Sequence, residues 1–334
     1  MVNCCTNPDC RTEFSALPPP GADAIPAFQR VLVATDFSPA SRAAFHAALD
    51  LCAAFGAKML LVHVFEYAAM TPPESGGLLL ELQSCCERCR DCLDGLAQQA
   101  ADAGVECETI LESGVAASSI LDAIAARQID LAVLGTRALH GFERLVFGST
   151  AEIVLRKSPC PVLTIGPRAA QETQGVRAAG PVVFATDFNF ATMQAIRYAA
   201  RLADLTASPL HCLHVLPRAF EAASQREVIP GIMAEALQQL ASESSVTLAP
   251  PTCATTFGSE VSYSVVDYAR EKAATLIVLG VRQASLLASH VPEHITYRII
   301  TEANCPVLTM AYPSHGRAVA AATRHQASQP AMAM

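Results

Sequence analysis

Short apolar runs alternate with longer segments of helical composition along most of the chain. In the first half, the runs VLVAT, KMLLVHV, LAVLG and PVLTI have the length and the β-branched content of buried strands. Ser38 followed by Pro39 is a typical helix start, and the helical segment after it continues to about Phe55. The pattern predicts strands near 31–35, 58–64, 106–111, 131–135 and 161–165, and helices near 39–55, 75–103, 116–127 and from 148. Strands separated by helices predict a parallel sheet covered on both faces, the doubly wound α/β architecture.

The same pattern occurs twice. Two long segments align without a gap at a distance of 151 residues: VLVATDFSPASRAAFHAALDLCAAFGAKMLLVHV from Val31 and VVFATDFNFATMQAIRYAARLADLTASPLHCLHV from Val182. The closing segments SPCPVLTI and ANCPVLTM are 145 residues apart, so the second copy is shorter by six residues. Its strands are predicted near 181–185, 209–215, 251–256, 275–279 and 306–310. This repetition indicates a tandem duplication of one five-stranded domain.

The 334 residues are enough for two domains, each with its own core. We place the first domain at 29–167, a linker at 168–180 and the second domain at 181–311. The arm at 1–28 is rich in Cys and Pro, and the tail at 312–334 has no sustained pattern. We therefore expect the arm to be disordered and the tail to be flexible.

The composition excludes several classes of partner. The formal net charge is −8 without an evident cluster of Lys and Arg, which disfavours nucleic acid. No apolar run approaches the ~18–20 residues of a membrane span, and the opening MVNCCTNPDCRTEF lacks the pattern of a secretory signal. We therefore expect a cytoplasmic protein without a membrane partner, in which the 13 cysteines are reduced thiols rather than a disulfide framework.

The junction GTRALHGFERLVFGST, at 135–150, carries glycines and hydroxyls between a strand and a helix. In open parallel sheets, ligands bind at the carboxyl ends of the strands. Glycine permits a close backbone approach, and the free amides of a helix N-terminus donate to anions. The junction therefore predicts a phosphate site that needs no lysine. The alternative is purely structural: Gly135 turns the chain and Ser149 caps the helix.

Several segments together resemble the universal stress protein family: ATDFS ending the first strand, LVHV ending the second, the glycine-rich junction and SPCPVLTI. Nucleotide-binding members of that family carry the pattern G-x2-G-x9-G-[ST]. Gly135, Gly148 and Ser149 match the pattern, and Ala138 stands where the family has its second glycine. The resemblance covers about 30–166 and 181–311, and implies two Rossmann-like domains of the adenine-nucleotide α-hydrolase type.

Carried over by position, the resemblance implies a nucleotide site in the first repeat. Asp36 is expected to contact the ribose or the adenine, helped by the backbone of Ala34 and Thr35, while the backbone of Val64 faces the adenine edge. The residues expected around the phosphates are Leu134, Gly135, Ala138, Gly148, Ser149 and Thr150. Arg137, in the loop above them, either supplies charge or is a solvated loop residue.

The implied ligand is ATP or another adenine nucleotide, with or without Mg²⁺. The alanine at 138 predicts weaker ATP binding or a preference for ADP or AMP. The resemblance implies a stress-response binding switch. Because neither a paired carboxylate nor a P-loop lysine accompanies Asp36, we expect at most a weak ATPase. Another hypothesis is an enzyme of the broader α-hydrolase class, with turnover that depends on Asp36.

The second repeat departs from the phosphate pattern. Gly280 remains, but Gln283 replaces the second glycine, and Glu293 with His294 replaces the Gly-Ser pair. A carboxylate at a phosphate position repels an anion. We therefore predict one nucleotide site per chain, with Asp187 kept as a turn residue.

The resemblance also implies how the two domains associate. The segments PVLTI and PVLTM are the last strands of the two repeats. They are expected to join the domains as an intrachain pseudo-dimer, and two chains can then associate further as a homodimer.

The segment CCERCRDC places Cys86, Cys89 and Cys92 on one face of a predicted helix, beside Cys85. Three interpretations stay open: small apolar residues on a packed or dimer-facing helix, redox-sensing thiols, or a metal site completed by cysteines of the N-terminal arm. The last two define a second function hypothesis, a stress or interaction protein that senses redox state or metal and binds no nucleotide.

His63 and His214 occupy equivalent strand ends in the two repeats. A catalytic histidine needs a nucleophile motif beside it, and neither has an evident Ser or Cys motif. We therefore expect both to be packed histidines.

Overall fold

The first repeat has the predicted order of strands and helices. The computed structural model of the protein describes residues 28–66, 78–136, 148–171, 180–188, 195–220, 228–232, 234–235, 250–282 and 295–312. The elements of the first repeat are β1 (Arg30–Ala34), α1 (Pro39–Phe55), β2 (Lys58–Phe65), α2 (Leu78–Asp102), β3 (Cys107–Ser113), α3 (Ala116–Ala126), β4 (Leu131–Gly135), α4 (Ser149–Lys157) and β5 (Val162–Ile165).

The second repeat has the same order of strands. Its elements are β6 (Val182–Ala185), α5 (Ile196–Leu205), β7 (Leu210–Leu216), a short 3-10 turn (Arg218–Phe220), β8 (Thr252–Phe257), α6 (Val261–Glu271), β9 (Leu276–Arg282), α7 (Ile295–Glu302) and β10 (Val307–Tyr312). Strands β3 and β9 extend further than the sequence predicts. They do so because their neighbours continue beside them, Phe65 pairing with Ser113 and Arg282 with Tyr312.

All ten strands form one continuous sheet in the order β3-β2-β1-β4-β5-β10-β9-β6-β7-β8. Within each repeat the strands are parallel, so the predicted doubly wound α/β fold is confirmed. The chain reverses its direction of winding between β1 and β4, and again between β6 and β9. In this architecture, such a switch point opens a crevice at the carboxyl ends of the two strands.

The two repeats meet at an antiparallel pair of strands. Val307 of β10 pairs with Thr164 of β5, and Thr309 pairs with Val162. The predicted pairing of PVLTI with PVLTM is therefore present within the chain. Because this pair is antiparallel, the strands of the first repeat run opposite to those of the second.

Helices cover both faces of the sheet. Helices α1, α2 and α5 lie on one face, where Phe45, Leu93 and Ala199 belong to the same apolar layer as Val31 and Val33 of β1. Helices α3, α4, α6 and α7 lie on the other face, against Leu32 and Val183. Each apolar layer is continuous across both repeats, and burying one such side chain contributes about 1.5–3 kcal/mol. In the part of the chain described above, no helix combines the length and apolar character needed to span a membrane.

Helix α1 begins and ends where its sequence predicts. The Ser38 side chain accepts a hydrogen bond from the Ser41 amide, and Pro39 occupies the first turn. At the other end, Gly56 adopts the left-handed conformation with φ of 66°, and its amide donates to the Cys52 carbonyl. These caps fix the helix start directly after β1, next to the crevice.

Candidate functional site

The candidate site lies at the switch point, where β1 and β4 end side by side. Ala34 of β1 is the register partner of Leu134 of β4. Each strand makes one further backbone hydrogen bond, to the neighbour on its other side. Thr35 N donates to Val62 O of β2 and Thr136 N donates to Ile165 O of β5, each at 2.9 Å. The crevice therefore has a rigid floor formed by two buried, paired strand ends.

The chain leaves β1 through a tight turn at residues 35–38. Phe37 has φ of 62°, a conformation that costs a bulky residue roughly 1–3 kcal/mol. The turn is held by two hydrogen bonds, from Phe37 N to Thr35 Oγ1 and from Ser38 N to Asp36 Oδ1, each 3.0 Å. Thr35 is buried while Asp36 is exposed at the crevice. The turn thus places the exposed Asp36 at the end of β1, and its contact with a sugar or a base stays a prediction.

His63 supports this turn from the neighbouring strand. Its Nδ1 lies 2.8 Å from the carbonyl oxygen of Thr35. Since a carbonyl oxygen only accepts, Nδ1 carries the proton and donates it. The imidazole ring packs against the Phe37 ring, with the ring centres 4.5 Å apart. His63 is therefore a packed histidine, as the sequence predicts.

Three hydroxyls connect the turn to the first turn of α1, and the sequence analysis did not identify this network. Thr35 Oγ1 and Ser38 Oγ lie 3.2 Å and 3.4 Å from Ser41 Oγ, which in turn donates to the Ser38 carbonyl oxygen at 3.1 Å. The motif TDFSPAS gives the only sequence signal for it, since Ser and Thr cluster where chains turn into helices.

Gly135 allows β4 to approach α1 closely. A Cβ atom at this position would lie 2.6 Å from Ser41 N and closer still to the carbonyl carbon of Ala40. No side chain fits there without moving the helix backbone. The absence of a side chain at Gly135 thus admits the first turn of α1, while the predicted approach of its backbone to a phosphate stays a prediction.

Gly148 has a different environment. It is the N-cap of α4 with φ of −66° and ψ of 137°, values that any residue can adopt, and it makes no side-chain capping bond. Among the residues that the structure describes, which do not include 137–147, a Cβ atom at Gly148 would meet nothing within 4 Å. Ser149 is exposed and Thr150 is half-buried on the following turn. The start of α4 is therefore open, and the first N–H groups of a helix lack intrahelical partners.

The structure places most of the predicted site residues along one edge of the sheet, at the ends of β1, β2 and β4 and at the start of α4. Ala34, Thr35 and Asp36 on β1 lie beside Leu134 and Gly135 on β4. Val64 is half-buried at the end of β2, on the other side of β1, where it pairs with Glu112 of β3. In a β-α-β crossover the helix runs antiparallel to its strands, so Gly148, Ser149 and Thr150 start α4 at this same edge. Arg137 and Ala138 lie outside the described residues.

Comparison with known proteins identifies the family. The family model described as the universal stress protein family matches residues 27–166 and 179–310, most of the chain. The chain belongs to the universal stress protein family. Among its relatives, the universal stress protein YxiE of Bacillus subtilis is 30% identical over 146 residues, 41% of this chain and 99% of that protein. A universal stress protein of Thermus aquaticus is 32% identical over 139 residues, 41% of this chain and 98% of that protein.

Solved structures show the fold of the whole tandem universal stress protein. A universal stress protein from Archaeoglobus fulgidus has a TM-score of 0.66 and 20% identity, covering 84% of this chain and 98% of that one. A putative universal stress protein from Pseudomonas aeruginosa has a TM-score of 0.57 and 15% identity, covering 85% of this chain and 94% of that one. The Rossmann-like fold and its tandem arrangement are therefore those of the family.

The second universal stress repeat keeps the turn at its strand end. Phe188 has φ of 58°, and its amide donates to Thr186 Oγ1 at 3.0 Å. His214 Nδ1 lies 2.8 Å from the Thr186 carbonyl oxygen, and its ring centre is 4.7 Å from that of Phe188. Burial lowers the pKa of His214, opposed by its hydrogen bond to Thr186 and by Asp187. His214 is therefore also a packed histidine. Gln283, Glu293 and His294, which distinguish this repeat, lie outside the described residues.

The predicted cysteine cluster lies on α2 of this universal stress protein. Cys85, Cys86 and Cys89 are half-buried and Cys92 is exposed, and all four are free thiols. Within the residues that the structure describes, no group of three or more His, Cys, Asp or Glu side chains is arranged to hold a metal ion. The cysteines of the N-terminal arm lie outside those residues.

Proposed function

We propose that the first repeat binds one adenine nucleotide, ATP, ADP or AMP, in the crevice between β1 and β4. The chain then acts as a stoichiometric binding switch of the stress response. Membership of the universal stress protein family supports this proposal. The observation that carries it is the contrast between two glycines: the packing of α1 accounts for Gly135, whereas none of the described residues comes close enough to account for Gly148.

The chemistry of the crevice fits such a ligand. The open amides at the start of α4, with the Ser149 and Thr150 hydroxyls, are suitable donors to phosphate oxygens. The exposed Asp36 carboxylate at the end of β1 is suitable to accept from ribose hydroxyls or the adenine amino group. Asp36 also offers an oxygen ligand to Mg²⁺, which commonly binds one or two carboxylates together with phosphate oxygens.

Binding is favoured over hydrolysis because the sequence shows neither a paired carboxylate nor a P-loop lysine beside Asp36. The two titratable groups at the turn each use one atom to hold it: His63 Nδ1 donates to the Thr35 carbonyl oxygen, and Asp36 Oδ1 accepts from Ser38 N. At most a weak ATPase is expected.

The first experiment measures the nucleotide content of the purified chain and titrates ATP, ADP and AMP by calorimetry. We expect about one nucleotide per chain, bound in the first repeat. Asp187→Ala in the second repeat is expected to leave the stoichiometry unchanged. A chain without bound nucleotide and without measurable affinity would overturn the proposal.

The second experiment compares Gly148→Asp with Gly148→Asn. Both residues are good N-caps, so the thermal midpoint is expected to stay the same or to rise. Aspartate adds a negative charge where the phosphates are proposed to lie, whereas asparagine has nearly the same shape without that charge. We expect Gly148→Asp to weaken nucleotide binding at least about tenfold relative to Gly148→Asn, a difference of about 1.4 kcal/mol. Equal affinities would show that the phosphates lie elsewhere.

A further inference from the structure

In the first half of α2, no described side chain belongs to the buried core. None of the residues at 83–92 is buried, and they include four cysteines. The first fully buried side chain after them is Leu93, followed by Leu96 and Ala100 in the apolar layer shared with α1. The four thiols therefore lie on a segment that core packing does not hold.

Helix geometry makes Cys89 the centre of this group. Cys86 and Cys92 are three residues away and Cys85 is four away, which gives Cα separations of about 5.0 Å and 6.2 Å to Cys89. Both values lie within the range of roughly 4.4–6.8 Å found in disulfides. Cys92 is about 10 Å from both Cys85 and Cys86, which is too far. Apart from the adjacent pair at 85 and 86, every bond that the helix allows includes Cys89.

The electrostatics of Cys89 agree with this central position. Partial burial and the neighbouring thiols of Cys85, Cys86 and Cys92 all raise its pKa, while Arg88 lowers it. All three thiols are thus close enough to Cys89 to influence its ionisation.

The other cysteines are less suited to oxidation. Cys52 is buried, and burial raises its pKa to about 12, while burial also raises the pKa of its neighbour Cys107 to about 11. Burial likewise raises the pKa of Cys212, whose register partner on β8 is Cys253. Neutral thiols react with oxidants more slowly than thiolates, and Cys52 and Cys212 are in addition buried away from an oxidant in solution.

We propose that α2 carries a thiol-oxidation site in which Cys89 forms an intrahelical disulfide with Cys92, Cys86 or Cys85 when the protein meets hydrogen peroxide. Cys92 is the most exposed of the four and reacts first. Its thiolate sulfur attacks one peroxide oxygen and the O–O bond breaks. The departing hydroxide takes up the proton that the thiol released and leaves as water, and Cys92 remains as a sulfenic acid. The Cys89 sulfur then attacks the Cys92 sulfur, the S–S bond forms, the S–O bond breaks and a second water leaves. Two thiols lose two electrons and two protons in total, and the peroxide is reduced to two waters.

Closure of the bond changes the helix. Cβ atoms three or four residues apart on a helix are about 5–6 Å apart, and a disulfide brings them to roughly 3.5–4.5 Å. The turn must therefore tighten by about 1 Å. The segment at 83–92 can do so because none of its side chains is buried. Oxidation is thus expected to reduce helix content in this half of α2, and reduction by a dithiol is expected to restore it.

The sequence provides a direct readout of the bond. Trypsin cleaves after Arg88 and Arg90 and so produces three peptides. The first contains Cys85 and Cys86, the second contains Cys89, and the third contains Cys92. The full chain is treated with hydrogen peroxide at low protein concentration, its remaining thiols are alkylated, and it is digested without reduction. Mass spectrometry is expected to find the dipeptide that contains Cys89 linked to one of the two neighbouring peptides, with the loss of two hydrogen atoms.

Four single variants test the central role of Cys89. Cys89→Ser is expected to remove every disulfide that links two tryptic peptides of α2, whereas Cys85→Ser, Cys86→Ser and Cys92→Ser each leave Cys89 a remaining partner and retain one. These three are matched controls because they remove one thiol from the same exposed helix. A bond from Cys92 to Cys85 or Cys86 in Cys89→Ser, a link from Cys89 to Cys4, Cys5 or Cys10, a disulfide-linked dimer, or a wild type without a disulfide at Cys89 would each overturn the proposal. Nucleotide binding enters none of these measurements, so the two proposals fail independently.

Discussion

The carbonyl oxygen of Ile300 lies directly against the Cα of Gly166, at the contact between the two repeats. Gly166 follows β5 of the first repeat, and Ile300 is a buried residue of α7 in the second. A Cβ atom at Gly166 would overlap this oxygen. The absence of a side chain at Gly166 therefore lets α7 pack beside the antiparallel strand pair.

Gly166→Ala is expected to lower the free energy of unfolding by about 1–3 kcal/mol, the usual cost of overpacking. Urea unfolding measures the change. The control is Gly95→Ala on the exposed side of α2, where a Cβ meets nothing within 4 Å. That control is expected to raise stability by about 0.5–1 kcal/mol because alanine favours a helix over glycine. A neutral Gly166→Ala would mean that α7 can shift without cost.

Gly135→Ala is expected to destabilise the first repeat whether or not a ligand is present. The added methyl group meets the backbone of Ala40 and Ser41, so a loss of about 1–3 kcal/mol is expected in thermal or urea unfolding. Gly148→Ala is the comparison, because no described residue lies within 4 Å of a Cβ atom at this position. This variant loses only the preference of the N-cap position for glycine over alanine, which contributes less than about 1 kcal/mol to stability. If both variants had the same stability, the close contact between β4 and α1 would be wrong.

Thr35→Val is expected to lower stability by about 1–3 kcal/mol, the cost of leaving a buried donor unpaired. Valine keeps the shape of threonine but cannot accept from the Phe37 amide, which is held at φ of 62°. Thr35→Ser retains the hydroxyl and serves as the control in the same denaturation experiment. Equal losses in the two variants would assign the effect to the methyl group instead of the hydrogen bond.

The stability of the second repeat is expected to fall as the pH drops through about 6.5. Burial lowers the pKa of His214, so the folded chain keeps this ring neutral while the unfolded chain takes up a proton. The stability that the neutral His214 ring provides is therefore complete above the pKa that this histidine has in the unfolded chain, and it is lost as the pH falls below that value. His214→Asn keeps a donor for the Thr186 carbonyl but cannot titrate, so its unfolding free energy should depend less on pH. Burial and then Lys272 lower the pKa of His211, which accounts for part of the remaining slope. An unchanged slope in His214→Asn would contradict the assignment.

The sequence predicts the elements well because their signals are local. Strand runs, the Ser38 cap and the duplication are visible in consecutive residues. The turn after β1 is different, because a phenylalanine with positive φ contradicts its own propensity and is stable only through Thr35 and His63. In the same way, the sequence predicts a close approach at Gly135, but only the fold shows that the approaching backbone belongs to α1.

Because the strands of the two repeats run in opposite directions, the two repeats place their crevices at different ends of the sheet. The β1–β4 crevice opens at one end of the ten-stranded sheet, and its β6–β9 counterpart opens at the other. The two crevices therefore face in opposite directions, and the direct connection between them through the sheet is the antiparallel pair of β5 and β10.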